Sequence, residues 1–190
     1  MVSLTRKLLT LFIIFFICGS PSFAQNFLKK YELEIGGSAI LAGKKYNGDF
    51  DKTLNFYSEI RRNFTRLPMD IGFHFGKGTM YREWENPFTT NDYHYLSYLV
   101  ISNYYFSDSK KVSPFIGIGM GITHLKIDWS YIENSQSIPH GTQKDDSFNF
   151  MMRGGVEIYR FLRISTSYKF MKRKYSNYEI SIGLTLGGWR

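Results

Sequence analysis

Between Tyr31 and Trp189 the apolar side chains recur at every second residue, in segments about ten residues long. A period of two belongs to a strand with two unlike faces, whereas a helix repeats every 3.6 residues. Ile116, Ile118, Met120 and Ile122 alternate with Gly117, Gly119, Gly121 and Thr123. Phe148, Phe150, Met152, Val156 and Ile158 alternate with Asn149, Met151, Arg153, Gly155 and Glu157; Leu162, Ile164, Tyr168 and Phe170 with Arg163, Ser165, Ser167 and Lys169. Tyr178, Ile180, Ile182, Leu184 and Leu186 oppose Glu179, Ser181, Gly183, Thr185 and Gly187. The first half repeats the scheme over Tyr31 to Ala42, Leu54 to Phe64 and Met69 to Lys77, and a fourth segment, Tyr93 to Phe106, carries Tyr on both faces and leaves its phase open. The chain therefore reads as all-β with eight strands.

The connections carry a second pattern. Gly43 to Thr53 is long, Thr65 to Pro68 short, Gly78 to Asp92 long, Ser107 to Lys111 short and Asp128 to Ser147 long. The sixth, at Arg160, is nearly absent, and Arg173 to Asn177 is moderate. An up-and-down antiparallel sheet sends alternate connections to opposite ends, so the longer ones gather at one end. Membrane barrels have this asymmetry, with short periplasmic turns and longer outer loops.

Alternation alone allows two burials. A soluble barrel turns its apolar face inward around a greasy ligand; a membrane barrel turns it outward to lipid. Here the apolar face is bulky throughout, while the polar face mixes Gly and Ser with long charged groups, which suits a narrow lumen. Glu32, Glu34, Glu59, Asp70, Glu157 and Glu179 stand on that face with Arg61, Arg153, Arg163 and Lys169, and with His74. Eight strands enclose only enough space for side chains, so these eleven groups are expected to pair across the interior as a luminal charge network. Tyr31, Tyr81, Trp84, Tyr93, Tyr104, Tyr105, Trp129, Tyr159 and Trp189 lie near segment ends, where interfacial aromatics belong.

Residues 1–24 read as an export signal and 25–190 as the barrel domain. Arg6 and Lys7 precede an apolar run from Leu8 to Cys18, and Ser22-Phe23-Ala24 resembles a cleavage site. The run is too short to span a bilayer as a helix. Cys18, the single cysteine, lies inside it after Ile17, where lipoprotein processing needs a small residue. The exported chain then has no thiol for a disulfide, metal site or nucleophile. Its charge balance of 22 basic to 16 acidic side chains, once Arg6 and Lys7 are removed, fits anionic lipid head groups better than nucleic acid, for which no finger or helix-turn-helix spacing exists.

No catalytic, cofactor-binding or metal site is expected. His74, His94, His124 and His140 have no metal-ligand spacing, and Gly117 to Gly121 lacks the Gly-x-Gly-x-x-Gly spacing of a phosphate loop. Ser135, Ser137, His140, Asp145 and Asp146 crowd one polar connection without an arrangement that sets a base on a nucleophile.

Pro114-Phe115-Ile116-Gly117-Ile118-Gly119-Met120-Gly121 is similar to a strand of the small eight-stranded bacterial outer-membrane barrels, the porin-like, OmpA/OmpX-type domains. Tyr178 through Arg190 resembles their terminal strand, although it ends on Trp-Arg and not on an aromatic. The resemblance implies an eight-stranded antiparallel up-and-down transmembrane β-barrel in the cell outer membrane, present as a monomer. It also implies the assembly machinery and outer-membrane lipid, including lipopolysaccharide, as partners, and the long loops offer contact to an extracellular partner. A non-enzymatic structural or surface-interaction role is the leading expectation. A narrow pore for small solutes and a soluble exported ligand-binding barrel are the alternatives.

Overall fold

The computed structural model describes residues 30–43, 54–64, 66–83, 89–107, 109, 111–133, 136–172 and 176–188. The export signal at 1–24, the first long connection at 44–53, and Trp84, Ser135, Trp189 and Arg190 lie outside them.

Eight strands follow in chain order: β1 (Tyr31–Gly43), β2 (Leu54–Asn63), β3 (Met69–Glu83), β4 (Thr89–Tyr105), β5 (Val112–Glu133), β6 (Gln136–Ile158), β7 (Leu162–Phe170) and β8 (Asn177–Gly187). Each pairs antiparallel with the next, and β8 returns to β1 through a ladder from Glu32↔Gly187 to Gly43↔Asn177, closing the barrel. Closure gives each strand a neighbour on both sides, so no backbone edge is left around the wall.

Valine, isoleucine and aromatics fill the outward positions and favour the extended chain. Glycine on the inward face makes room for large side chains opposite. A Cβ on Gly36 or Gly183 would stand 2.5 Å from the Tyr57 phenol. The tightest corner joins β6 to β7, where Phe161 N–H donates to the Ile158 carbonyl (3.1 Å) and Tyr159 and Arg160 both take positive φ. Two successive left-handed residues match the twist of a two-residue hairpin.

The alternation sorts by side of the wall. Phe73, Ile118 and Leu184 are exposed on the outside, with Phe75, Val100, Met120, Met152 and Ile182 around them. Inside, Glu, Arg, Asn, Ser and Thr are buried. β4, whose phase the sequence leaves open, turns Tyr95, Ser97, Leu99, Ile101, Asn103 and Tyr105 inward and Leu96, Tyr98, Val100 and Tyr104 outward.

Three expectations need correction. The connections expected at Gly78 to Asp92 and Asp128 to Ser147 are largely strand: β3 pairs with β4 out to Glu83↔Thr90, and β5 with β6 out to Glu133↔Gln136. Their polar composition reads as loop, yet the ladder continues past the rim because each strand there has a partner. Tyr105 is not interfacial; it is buried in the lumen, since the phenol finds a carboxylate there. The interior is also not wholly polar. Ile40, Tyr95, Leu125 and Ile127 form one apolar cluster, with Met171 against it, and Leu99, Ile101 and Met151 form another.

Candidate functional site

All eleven ionisable residues assigned to the inward face are buried in the barrel. At the centre Arg61, on β2, donates to Glu34 (2.5 Å), Glu59 (2.7 Å) and Glu32, and its Nε lies 3.6 Å from Asp70. Glu34 also accepts from the Tyr57 hydroxyl (2.6 Å) and from Arg163 (3.2 Å). Arg153, on β6, reaches the diametrically opposite strand: its guanidinium holds Glu59 through two nitrogens (2.5 and 3.1 Å), and its Nε donates to Asn103 (2.8 Å). His74 Nδ1 stands 2.8 Å from the same Glu59.

Toward the short-turn end, Asp70 accepts from Asn103 Nδ2 (2.6 Å) and from the Tyr105 hydroxyl (2.7 Å). Arg163 donates to that hydroxyl (3.2 Å) and lies over the Phe115 ring, 3.8 Å from its centroid. Glu157 is the register partner of Arg163. Toward the other end Lys169 donates to Glu179 (2.8 Å), which also accepts from Ser38 (3.2 Å) and Tyr95 (3.4 Å). Between these layers Tyr57, Glu59, His74, Met151, Arg153 and Lys169 border a cavity of about 10 Å³, room for no more than one water. Buried ions are tolerable only when paired and hydrogen-bonded, and the bonds that span the barrel meet that condition.

A second polar group lies on the outer wall, where β3 to β6 rise past the apolar belt. Thr79, His94, Lys126 and Lys144 stand opposite one another across the four strands. The next row toward the belt is Lys77, Leu96, His124 and Asp146, and the row after it, Phe75, Tyr98, Ile122 and Phe148, is wholly apolar. Asp128 accepts from Lys126 (2.7 Å) and Thr142 (2.5 Å); these hydrogen bonds, Lys126 first, hold its carboxyl below the usual carboxylate range. His124 Nδ1 lies 2.7 Å from Asp146.

Thr79 Oγ1 is 3.2 Å from His94 Nδ1, and His94 Nε2 is 3.7 Å from Asp128. A hydroxyl, an imidazole and a carboxylate thus come together at residues that sequence spacing does not connect. The second distance is too long for a hydrogen bond, so nothing fixes the ring as a base. Of the polar connection residues noted above, Asp145 pairs with Lys172 and Asp146 with His124, and the side chains of Ser137 and His140 are outside the described set. Among the described residues, no group of three His, Cys, Asp or Glu side chains could hold a metal ion.

No family model matches the chain, and no curated protein matches its sequence. Several solved structures are similar to it. Neisserial surface protein A is 11% identical, with 83% of this chain and 95% of that one covered and a TM-score of 0.49. Ail, the attachment invasion locus protein of Yersinia pestis, in complex with the heparin analogue sucrose octasulfate, is 16% identical over 83% and 95%, with a TM-score of 0.48. The outer membrane enzyme PagL is 11% identical over 80% and 97%, with a TM-score of 0.40. The closed register of its own eight strands establishes this chain as an all-antiparallel β-barrel.

Proposed function

We propose that this chain is a non-enzymatic protein of the cell outer membrane, with a structural or surface-interaction role and a lumen plugged by paired charges. The observation that carries the reading is the inversion of the two faces: leucine, isoleucine, phenylalanine and methionine cover the outside of a closed wall, and arginine–carboxylate pairs fill the inside. In water this exterior would be a large apolar patch of the kind soluble monomers avoid. In hydrocarbon it is the favourable solvent, and closure removes the unsatisfied backbone groups that would each cost several kcal/mol. β8, with eleven residues, is long enough to cross when tilted.

The same reading gives the residues at 1–24 the role of export signal, makes outer-membrane lipid, lipopolysaccharide included, the barrel's solvent, and gives the terminal strand to the assembly machinery. It places the extended β3–β4 and β5–β6 hairpins outside the cell, where they offer contact to an extracellular partner, and it holds the protein as a monomer. Membrane fractionation tests it. Recovery in the outer-membrane fraction, with migration on gels that shifts when the sample is heated, is the expected result. Recovery free in the periplasm without detergent would overturn it in favour of the soluble ligand-binding barrel. The narrow-pore alternative needs a gap in the luminal layers, and channel recordings in a planar bilayer are expected to stay at baseline.

A further inference from the structure

We propose that the bases on the outer wall above the apolar belt bind the phosphate-bearing head group of an anionic lipid. His94, Lys126 and Lys144 are direct register partners across β4, β5 and β6, and all three are exposed on the outer face. The ammonium groups of Lys126 and Lys144, on directly opposite residues, repel, so the pair is unfavourable without an anion to share. Acids on the same wall answer only part of it. Asp128 takes Lys126 and lies 3.7 Å from His94, and Asp146 takes His124. Among the described residues Lys144 has no ion-pair partner, and neither does Lys77 in the row below.

Lys77, His94, Lys126 and Lys144 border one surface cavity of about 660 Å³ together with Asp145 and Asp146, whose carboxylates are taken by Lys172 and His124. Lys77 on β3 and Lys144 on β6, the two uncommitted ammonium groups, both border it, three strands apart along the wall. Charge sets the chemistry of the occupant: phosphate oxygens accept from both lysines, whereas a neutral head group leaves the repulsion unrelieved. Position sets its class. The apolar row of Phe75, Tyr98, Ile122 and Phe148 begins one register step below Lys77, so a ligand seated between Lys77 and Lys144 has its acyl chains against the belt. That juxtaposition selects a lipid over a soluble anion.

This inference rests on the outer-membrane reading, and the test separates the two. The full mature protein is reconstituted in phosphatidylcholine vesicles with a trace of spin-labelled phosphatidic acid or of spin-labelled phosphatidylcholine. The immobilised fraction of each label gives their relative association with the barrel wall. The expected result is a preference of about fivefold for phosphatidic acid, lost in Lys77→Gln/Lys144→Gln and not restored by the labelled neutral lipid. Equal association of the two labels, or a preference unchanged in the double variant, overturns the inference. Suppression of the preference by inorganic phosphate at modest concentration marks a soluble-anion site and also overturns the lipid assignment. Heat-shifted migration of parent and variant from the same vesicles reports the fold: a shift without preference refutes this site alone, and no shift in the parent refutes the barrel reading with it.

Discussion

At the residue scale the interior turns on Arg61. Its guanidinium carries five N–H donors and no acceptor, and three carboxylates meet it directly with a fourth close by. Arg61→Met would leave Glu32 and Glu34 buried with one shared cation, Arg163, hydrogen-bonded to Glu34 and 3.9 Å from Glu32. Breaking a buried pair from one side costs about 3–5 kcal/mol, because the partner's charge stays behind without compensation. The expected outcome is a fall of that size in the unfolding free energy, measured by urea titration of the vesicle-bound protein. Lys172→Gln, at an exposed ion pair, should lose less than about 1 kcal/mol in the same titration. The shared face of Arg61, Glu34 and Glu59 is legible from sequence because alternation puts all three on the polar side of their strands; the closed barrel then turns that side inward. Tyr105 is not legible in that way. A phenol satisfies the interface and a buried carboxylate equally well, and only the tertiary contact with Asp70 on β3 decides between them.

At the scale of elements the alternation fixes eight strands, but hairpin length escapes it. A polar segment with glycine looks the same as a loop and as a strand wet on both faces, since neither shows a hydrophobic period. β5 and β6 stay paired for 22 and 23 residues because each supplies the other's hydrogen bonds. Among the described residues the β6–β7 ladder ends at Phe150↔Phe170, and beyond it the Lys172 N–H donates to the Ser147 hydroxyl, so the upper part of β6 has no described ladder partner on that side. That part carries Pro139, the register shift opposite Trp129 and Ser130, and charges at Lys144, Asp145 and Asp146. Proline, irregular register and charge all discourage another strand from adding on. β4 shows the other limit: apolar and tyrosyl side chains on both faces cancel the period, and its phase comes from β3 and β5. Because the upper hairpin adds no closure, replacing residues 130–140 by Asn-Gly between Trp129 and Gly141 should leave the heat-shifted migration intact. A variant that no longer migrates as a folded barrel would show that the extension is part of the folding unit.

At the scale of the whole molecule the lumen is filled in successive layers, which on the proposed reading seal it in series. Along the inward face of β4, Tyr95 belongs to the outer apolar cluster beside the Lys169–Glu179 pair. Ser97 joins Thr123 and Asn149, and Leu99 and Ile101 pack on Met151. Asn103 takes Arg153, and Tyr105 takes Asp70 and Arg163. The apolar layers are invisible to an argument from alternation, which assigns faces without saying which side chains of distant strands meet. Layers in series conduct only as well as the tightest one. Tyr95→Ala/Leu125→Ala should therefore open the outer mouth and still leave planar-bilayer recordings at baseline, because the Arg153–Glu59 bonds span the lumen beneath it. Arg153→Ser, which leaves Glu59 its contacts with Arg61 and His74, should stay closed for the converse reason, with the outer cluster intact. Steady conductance from either variant alone would mean that a single layer holds the seal, and the serial arrangement would then fail as an account of how this barrel excludes solutes.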